Sequence, residues 1–114
     1  MGRKTRIMYI EYKGDSELVG DARIGRVAIF NKGKFLCYQN QRFSTLRGRG
    51  FKSNYYDVKT GEHYWISGCR KDGRDALYST NAEIDEDVRE EYWTEIRNKP
   101  EMKQISSIKV LSKY

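Results

Sequence analysis

The sequence predicts a mainly β, α+β fold: a small curled antiparallel sheet, or an SH3- or OB-like barrel of five to seven short strands. One C-terminal helix and a closing strand would follow it. Three observations lead there. Short runs of β-branched and aromatic residues recur through the first two thirds of the chain, separated by glycine-bearing turns. Aromatic residues make up 13% of the chain and charged residues 33%, so the core must lean on Tyr, Trp and Phe rather than on aliphatic runs. The apolar spacing becomes helical only after Ile84. At 114 residues, the chain makes one domain, residues 1–114, able to bury a modest core without staples.

The elements follow in order. Arg6-Ile7-Met8-Tyr9-Ile10-Glu11-Tyr12 reads as a first strand, closed by a turn at Lys13-Gly14-Asp15, and the polar stretch to Asp21 reads as loop. Residues 24–30 and 35–38 flank Asn31-Lys32-Gly33-Lys34 and make a hairpin. Gln39-Asn40-Gln41 leads into a strand over 42–46, ended by Arg47-Gly48-Arg49-Gly50. Residues 55–58 and 63–66, joined by Lys59-Thr60-Gly61-Glu62, form the clearest hairpin, because Gly61 can supply the positive φ of a bulged turn. Gly68 and Lys71-Asp72-Gly73 bound another turn, and Ala76-Leu77-Tyr78 reads as a short edge strand.

A helix is expected over about 85–98. Asp85 stands as N-cap, Glu86 and Asp87 place negative charge on the first turn, Arg97 and Lys99 place positive charge on the last, and Pro100 stops it. Val88, Tyr92 and Ile96 share one face with Trp93 beside them, while Glu90, Glu91 and Glu95 fall elsewhere. Residues 105–111 alternate weakly, with Ile108 and Val110 on one face, and supply the closing strand.

No apolar stretch is long enough to cross a bilayer, and the basic start, Met1-Gly2-Arg3-Lys4-Thr5-Arg6, precedes no cleavage-like site. Cys37 and Cys69 have no C-x-x-C spacing, so reduced thiols are expected in preference to a zinc site or a disulfide. These features predict a cytoplasmic protein with no membrane partner. The net charge of +6 is uneven: residues 1–82 carry 16 Lys and Arg against 8 Asp and Glu, and residues 83–114 carry 6 against 8. Cation gathered on the β-rich part favours a polyanionic partner.

The segment from Arg42 to Tyr56 alternates cations and rings around flexible glycines. Such a mixture suits nucleic acid, because Arg and Lys neutralise phosphates, rings stack on unpaired bases and glycines admit close backbone approach. The candidate nucleic-acid-binding residues are Arg42, Arg47, Arg49, Phe51, Lys52, Tyr55 and Tyr56. A second basic turn adds Arg70, Lys71 and Arg74, and Arg3, Lys4 and Arg6 form a third cluster. The competing explanation is a polar loop beside core aromatics, with Lys and Arg guarding sheet edges against aggregation.

Catalytic equipment is sparse. His63 is the only histidine, and no motif pairs it with Cys37 or Cys69. Ser67-Gly68 lacks the frame of a nucleophile elbow, and neither a P-loop nor a dinucleotide fingerprint is present. The acidic set Glu83, Asp85, Glu86, Asp87, Glu90, Glu91 and Glu95 fits no EF-hand register. It reads as helix capping plus a solvated face, or as a docking surface for a basic partner or for the protein's own basic rim. No catalytic residue, metal ligand or cofactor is therefore expected.

Gly48-Arg49-Gly50-Phe51-Lys52-Ser53-Asn54-Tyr55-Tyr56-Asp57-Val58, Tyr64-Trp65-Ile66-Ser67-Gly68 and the run from Ile84 to Trp93 resemble a small bacterial protein family. The resemblance spans most of residues 25–97. Members of that family sometimes carry the label 1-deoxy-D-xylulose-5-phosphate synthase, which implies a thiamine-diphosphate enzyme. Such an enzyme holds its diphosphate through a metal bound by a Gly-Asp-Gly motif and a downstream Asn inside a large α/β assembly. This chain has neither the motif nor the bulk. It also departs from the family pattern at Ala76-Leu77-Tyr78-Ser79, where the family favours Arg-Leu-Tyr-Gly, and at Cys69. The expectation is a non-catalytic module that binds RNA or DNA. A protein-interaction or accessory module is the alternative, and a small enzyme using His63 comes third.

Overall fold

The run Ile7-Met8-Tyr9-Ile10 puts large apolar side chains on both faces of an extended backbone, a pattern that only a strand covered on both sides can bury. In the computed structural model, which describes residues 4–14, 21–46 and 53–113, that run is the centre of the longest strand, β1 (Lys4–Gly14). The other strands are β2 (Ala22–Phe30), β3 (Phe35–Tyr38), β4 (Gln41–Thr45), β5 (Tyr55–Asp57), β6 (His63–Gly68), β7 (Thr80–Ile84) and β8 (Ser107–Val110).

The sheet closes. β1 pairs antiparallel with β2 from Lys4↔Ile29 to Glu11↔Ala22, and with β6 from Met8↔Gly68 to Tyr12↔Tyr64. Antiparallel pairs β2–β3, β3–β4, β4–β5 and β5–β6 complete a six-stranded barrel. β2 changes partner along its length. Its C-terminal half holds β3 through Ala28, Ile29 and Phe30, while its N-terminal half holds β7 in parallel through Arg23↔Glu83 and Ile24↔Ile84. β8 then extends β7 outward, so it does not close the barrel. The expected strand at 76–78 is reduced to one parallel bridge, in which Ala76 N–H donates to Leu111 O at 3.3 Å and Ala76 O accepts from Lys113 N–H at 2.8 Å; Ala76 and Leu77 are buried and Tyr78 is exposed. The strand over 80–84 lies where the sequence reading placed no strand.

Alternation along the strands divides the core in two. Met8, Ile10, Val27, Leu36, Tyr38, Phe43 and Ile66 fill the barrel, with Ile29, Tyr55 and Tyr64 at their margins. On the outer side of β1 and β2, Ile7, Tyr9, Ile24, Ile84, Val88, Tyr92, Trp93 and Val110 form a second core. Burying a large apolar side chain is worth about 1.5–3 kcal/mol, so this outer layer is a main source of stability. At its upper margin, the same face of β1 carries Glu11 and Lys13, both buried. Lys13 Nζ lies 2.9 Å from Glu11 Oε2, and Tyr9 Oη donates to Glu11 Oε1 at 2.6 Å.

The helix is composite: a 3-10 turn at Glu86–Val88, an α turn at Arg89–Glu91 and a π turn at Tyr92–Ile96. Its widened last turn, marked by Arg97 N–H donating to Tyr92 O at 3.0 Å, keeps two successive rings against the sheet. Tyr92 and Trp93 are accordingly both buried, packed edge to face at 5.3 Å. Asp85 precedes the helix as expected, but its carboxylate makes no capping bond and is used instead by β2 and β3.

Candidate nucleic-acid interface

The hairpin logic of the barrel fixes which residues meet at each end. β1 starts, β6 finishes, β2 turns into β3 through Asn31–Gly33, and β4 departs for β5, all at one end. That end collects Lys4, Arg6, Lys32, Lys34, Arg70 and Lys71, with Asp72 the nearby acid. Two contacts bind it together: Tyr55 Oη donates to Gly33 O at 2.6 Å, and Thr45 N–H donates to Lys34 O at 3.1 Å. Leu46 and Ser53, which flank residues 47–52, are at the same end, with Leu46 N–H donating to Asn54 O at 3.0 Å. Arg47, Arg49, Phe51 and Lys52 lie outside the described residues. The opposite end carries Asp21, Asp57, Glu62 and Asp85 against Arg23 and Lys59.

Starting beside the basic end at Phe30 and climbing away from it to His63, which pairs with Gly14 at the far end of β1, the outward-facing residues of five strands fall into one register row. Phe30 stands opposite Phe35, Phe35 opposite Ser44, Ser44 opposite Tyr56, and Tyr56 opposite His63. Strands lie about 4.8 Å apart, so Phe35 and Tyr56 sit roughly 10 Å from each other along the sheet. In the next row, Cys37 stands opposite Arg42. Phe30, Phe35, Cys37 and Arg42 line a shallow recess of about 250 Å³, and Phe30 and Phe35 are 38% and 39% exposed. Arg42 is exposed and its guanidinium enters no ion pair among the described residues.

Of the residues expected from sequence, Arg42 and Tyr56 share this face. Tyr55 does not, because it neighbours Tyr56 in a strand and therefore points the other way, into the barrel, where burial raises its hydroxyl above the ordinary tyrosine range. Arg70 and Lys71 are exposed at the basic end. Arg74 stands apart, donating to Ser112 O at 3.3 Å and lying 3.9 Å from Asp72. Phe30, Phe35, Lys32 and Lys34 were missed. Their signal was the parity of the hairpin, since the alternation that buries Leu36 and Tyr38 must turn Phe35 outward.

His63 ends the aromatic row half-exposed, with Nδ1 3.3 Å from Ser53 Oγ. The acidic helix is partly answered by the protein's own arginines: Arg26 pairs with Glu91 at 2.5 Å and Arg23 with Asp85 at 2.6 Å. Cys37 and Cys69 are free thiols, and burial pushes the Cys69 thiol up, which leaves it a poor nucleophile. Among the described residues, no group of three His, Cys, Asp or Glu side chains is placed to hold a metal, and no helix is long and apolar enough to cross a membrane. Comparison with family models, curated proteins and solved structures finds no match to this chain.

Proposed function

We propose that the protein is a non-catalytic module that binds nucleic acid, RNA or DNA, through unpaired bases laid across the outer face of β2–β5. One observation carries this reading: Phe30, Phe35 and Tyr56 occupy a single cross-strand row beside the free guanidinium of Arg42, and the Phe30–Phe35 end of that row borders the lysine-bearing turn at the basic end of the barrel. Rings on a sheet give every base a stacking surface, and the adjoining cations follow the phosphates. The face is outward, and a duplex, whose bases are already stacked, gains only the electrostatic part.

Fluorescence anisotropy with labelled single- and double-stranded 12-mers across a salt series tests the reading. Single strands are expected to bind more tightly than duplexes, with log K falling linearly against log salt. Undetectable binding at low salt, or equal affinity for duplex and single strand, overturns it. The exposed Phe30–Phe35 recess would then be better read as a contact for a protein partner.

A further inference from the structure

The barrel's other end holds a different kind of site. Side chains that point inward along β1, β2, β3, β4 and β6 run out there into a recess of about 360 Å³ lined by Ile10, Tyr12, Arg23, Tyr38, Gln41 and Tyr64. That volume lies at the lower end of the range of ligand pockets, about 300–1,000 Å³. We propose that this mouth binds an organic cation, an alkylated ammonium or a guanidinium, against the faces of Tyr12, Tyr38 and Tyr64.

The walls are aromatic and set at an angle. Tyr12 and Tyr64 stand 5.4 Å apart with their planes at 74°, which makes a corner, and Phe43 packs edge-on beneath Tyr64 at 4.8 Å and fixes it. Ile10 supplies an apolar wall and excludes water from behind. A ring face carries the negative part of its quadrupole, and a desolvated cation placed over it is attracted by about 2 kcal/mol or more.

The hydroxyls orient the rings, and that of Tyr12 strengthens the attraction. Tyr12 Oη donates to Glu62, a hydrogen bond to a carboxylate that makes its ring more electron-rich, while Tyr38 Oη donates to Asp85 Oδ2 at 2.5 Å and accepts from Arg23 Nε and Gln39 Nε2 at 3.3 Å, bonds that fix its ring in place. Gln41 Nε2 donates to Tyr64 Oη at 3.0 Å and to Asp57 Oδ2 at 3.1 Å, holding the third ring and a further carboxylate in place. Asp21 adds a carboxylate on the lining itself. Arg23, the cation on the lining, is turned onto Asp85 through Nε at 2.8 Å and Nη2 at 2.6 Å, so its charge is already matched. What remains is a ring-walled recess backed by Asp21, Asp57 and Glu62. An anion would meet repulsion there, and a neutral apolar ligand would leave the field of the carboxylates unused.

Titration of the full chain, followed through its tyrosine ring and backbone amide NMR signals, decides the matter. The probes are choline, its uncharged isostere 3,3-dimethylbutan-1-ol, and short peptides carrying a trimethylated lysine or a dimethylated arginine. A cation should shift the signals of Tyr12, Tyr38 and Tyr64 saturably, and the uncharged isostere should bind about tenfold more weakly. Tighter binding of choline assigns the site to a free small cation, and tighter binding of a modified peptide assigns it to a side chain of another protein. Tyr12→Phe, which keeps the ring and loses the bond to Glu62, should weaken the cation several-fold. Tyr64→Leu should abolish it, and Lys109→Ala, exposed on β8 and no part of the lining, should change nothing. Equal binding of the isostere, or no saturable shift with any of the cations, overturns the proposal, and both readouts use the unaltered chain if Tyr64→Leu does not fold.

Discussion

Tyr38 Oη reaches Asp85 Oδ2 at 2.5 Å and so ties the end of β3 to the start of the helix across the place where β2 exchanges one partner for another. β2 cannot hydrogen-bond both β3 and β7 along the same edge. The barrel and the outer layer therefore part there, and the two side chains bridge the gap. Tyr38 is 5% exposed, and burial, followed by the bond to Asp85, pushes its hydroxyl up to about 12, so it stays a donor at every ordinary pH. Removing it with Tyr38→Phe leaves a sheltered carboxylate short of a partner and is expected to cost about 1–3 kcal/mol. Urea unfolding of Tyr38→Phe, Asp85→Ala and the double variant should give a coupling of about 0.5–3 kcal/mol, and strictly additive losses would reject the bridge. Arg23→Ala should cost less, because its guanidinium is largely exposed and the ion pair is screened.

Gly25 makes that bridge possible. A Cβ built there would clash with Asp85 Oδ2 and stand 2.5 Å from Tyr38 Cε1, well inside contact distance of a ring that its bond to Asp85 holds in place. Gly25→Ala should destabilise the protein by about 1–3 kcal/mol as an overpacking change, with the loss read from urea melts. In the Tyr38→Ala background the ring is gone, and the same glycine substitution should cost clearly less. Equal costs in both backgrounds would show that Gly25 is required for another reason.

The hairpins were legible because their turns require particular backbones. Gly61 adopts φ +80° between β5 and β6, as its place in Lys59-Thr60-Gly61-Glu62 requires. The helical face was legible from Val88, Tyr92 and Ile96, since apolar spacing survives even a mixed helix. The illegible parts share a cause: their burial comes from distant segments. Thr80-Asn81-Ala82-Glu83-Ile84 has only two apolar residues to mark it as a strand, and it is one because β2 and β8 flank it. Glu11 and Lys13 continue an apolar face with charge, which local alternation reads as a turn to solvent, whereas each is buried by pairing with the other. Asp85 looked like a cap for its own helix, and the contact that claims it comes from Tyr38, 47 positions away. The proposed interface had the same difficulty, because a row built from β2, β3, β4 and β5 exists only after the strands pair.

The proposed stacking row separates contributions by residue type. Phe35→Ala and Tyr56→Ala should each weaken single-strand binding by about 1–3 kcal/mol and leave the salt slope unchanged, since rings neutralise no phosphate. Arg42→Ala, Lys32→Ala and Lys34→Ala should weaken it and flatten the slope by about one unit for each phosphate no longer neutralised. Tyr55→Phe, which keeps the inward ring and loses only the bond to Gly33 O, should weaken binding less than Tyr56→Ala does. Anisotropy across a salt series reads all of these. Effects that ignore the distinction between rings and cations would place the nucleic acid elsewhere on the surface.

Asp75 makes stability depend on pH in an unusual direction. Its carboxyl is buried: Oδ1 accepts the N–H of Arg70 at 2.8 Å, and Oδ2 has no hydrogen-bond partner among the described residues. Its backbone carbonyl receives Trp65 Nε1 at 2.9 Å and Ser67 Oγ at 2.8 Å, so it cannot swing out to water without dismantling the contact between its loop and β6. Burial raises the acid from 3.8 to about 6, against the lowering pull of the Arg70 N–H and of the charges on Arg97 and Arg70. Because the folded value is the higher one, the native state holds a proton through the window in which the unfolded chain has already lost it. Stability from this group is therefore complete below about pH 4 and is lost as pH rises through about 6. A shift of about two units corresponds to roughly 3 kcal/mol. Asp75→Asn keeps the shape and the bond from Arg70 but cannot ionise. Relative to the unaltered protein, it should gain up to about 3 kcal/mol between pH 4 and pH 7 in urea unfolding, since every other titrating group is common to both and cancels in the difference. Parallel pH profiles for the two proteins would show that Asp75 ionises in the folded state as readily as in the unfolded chain, and that its unpartnered oxygen is reached by water.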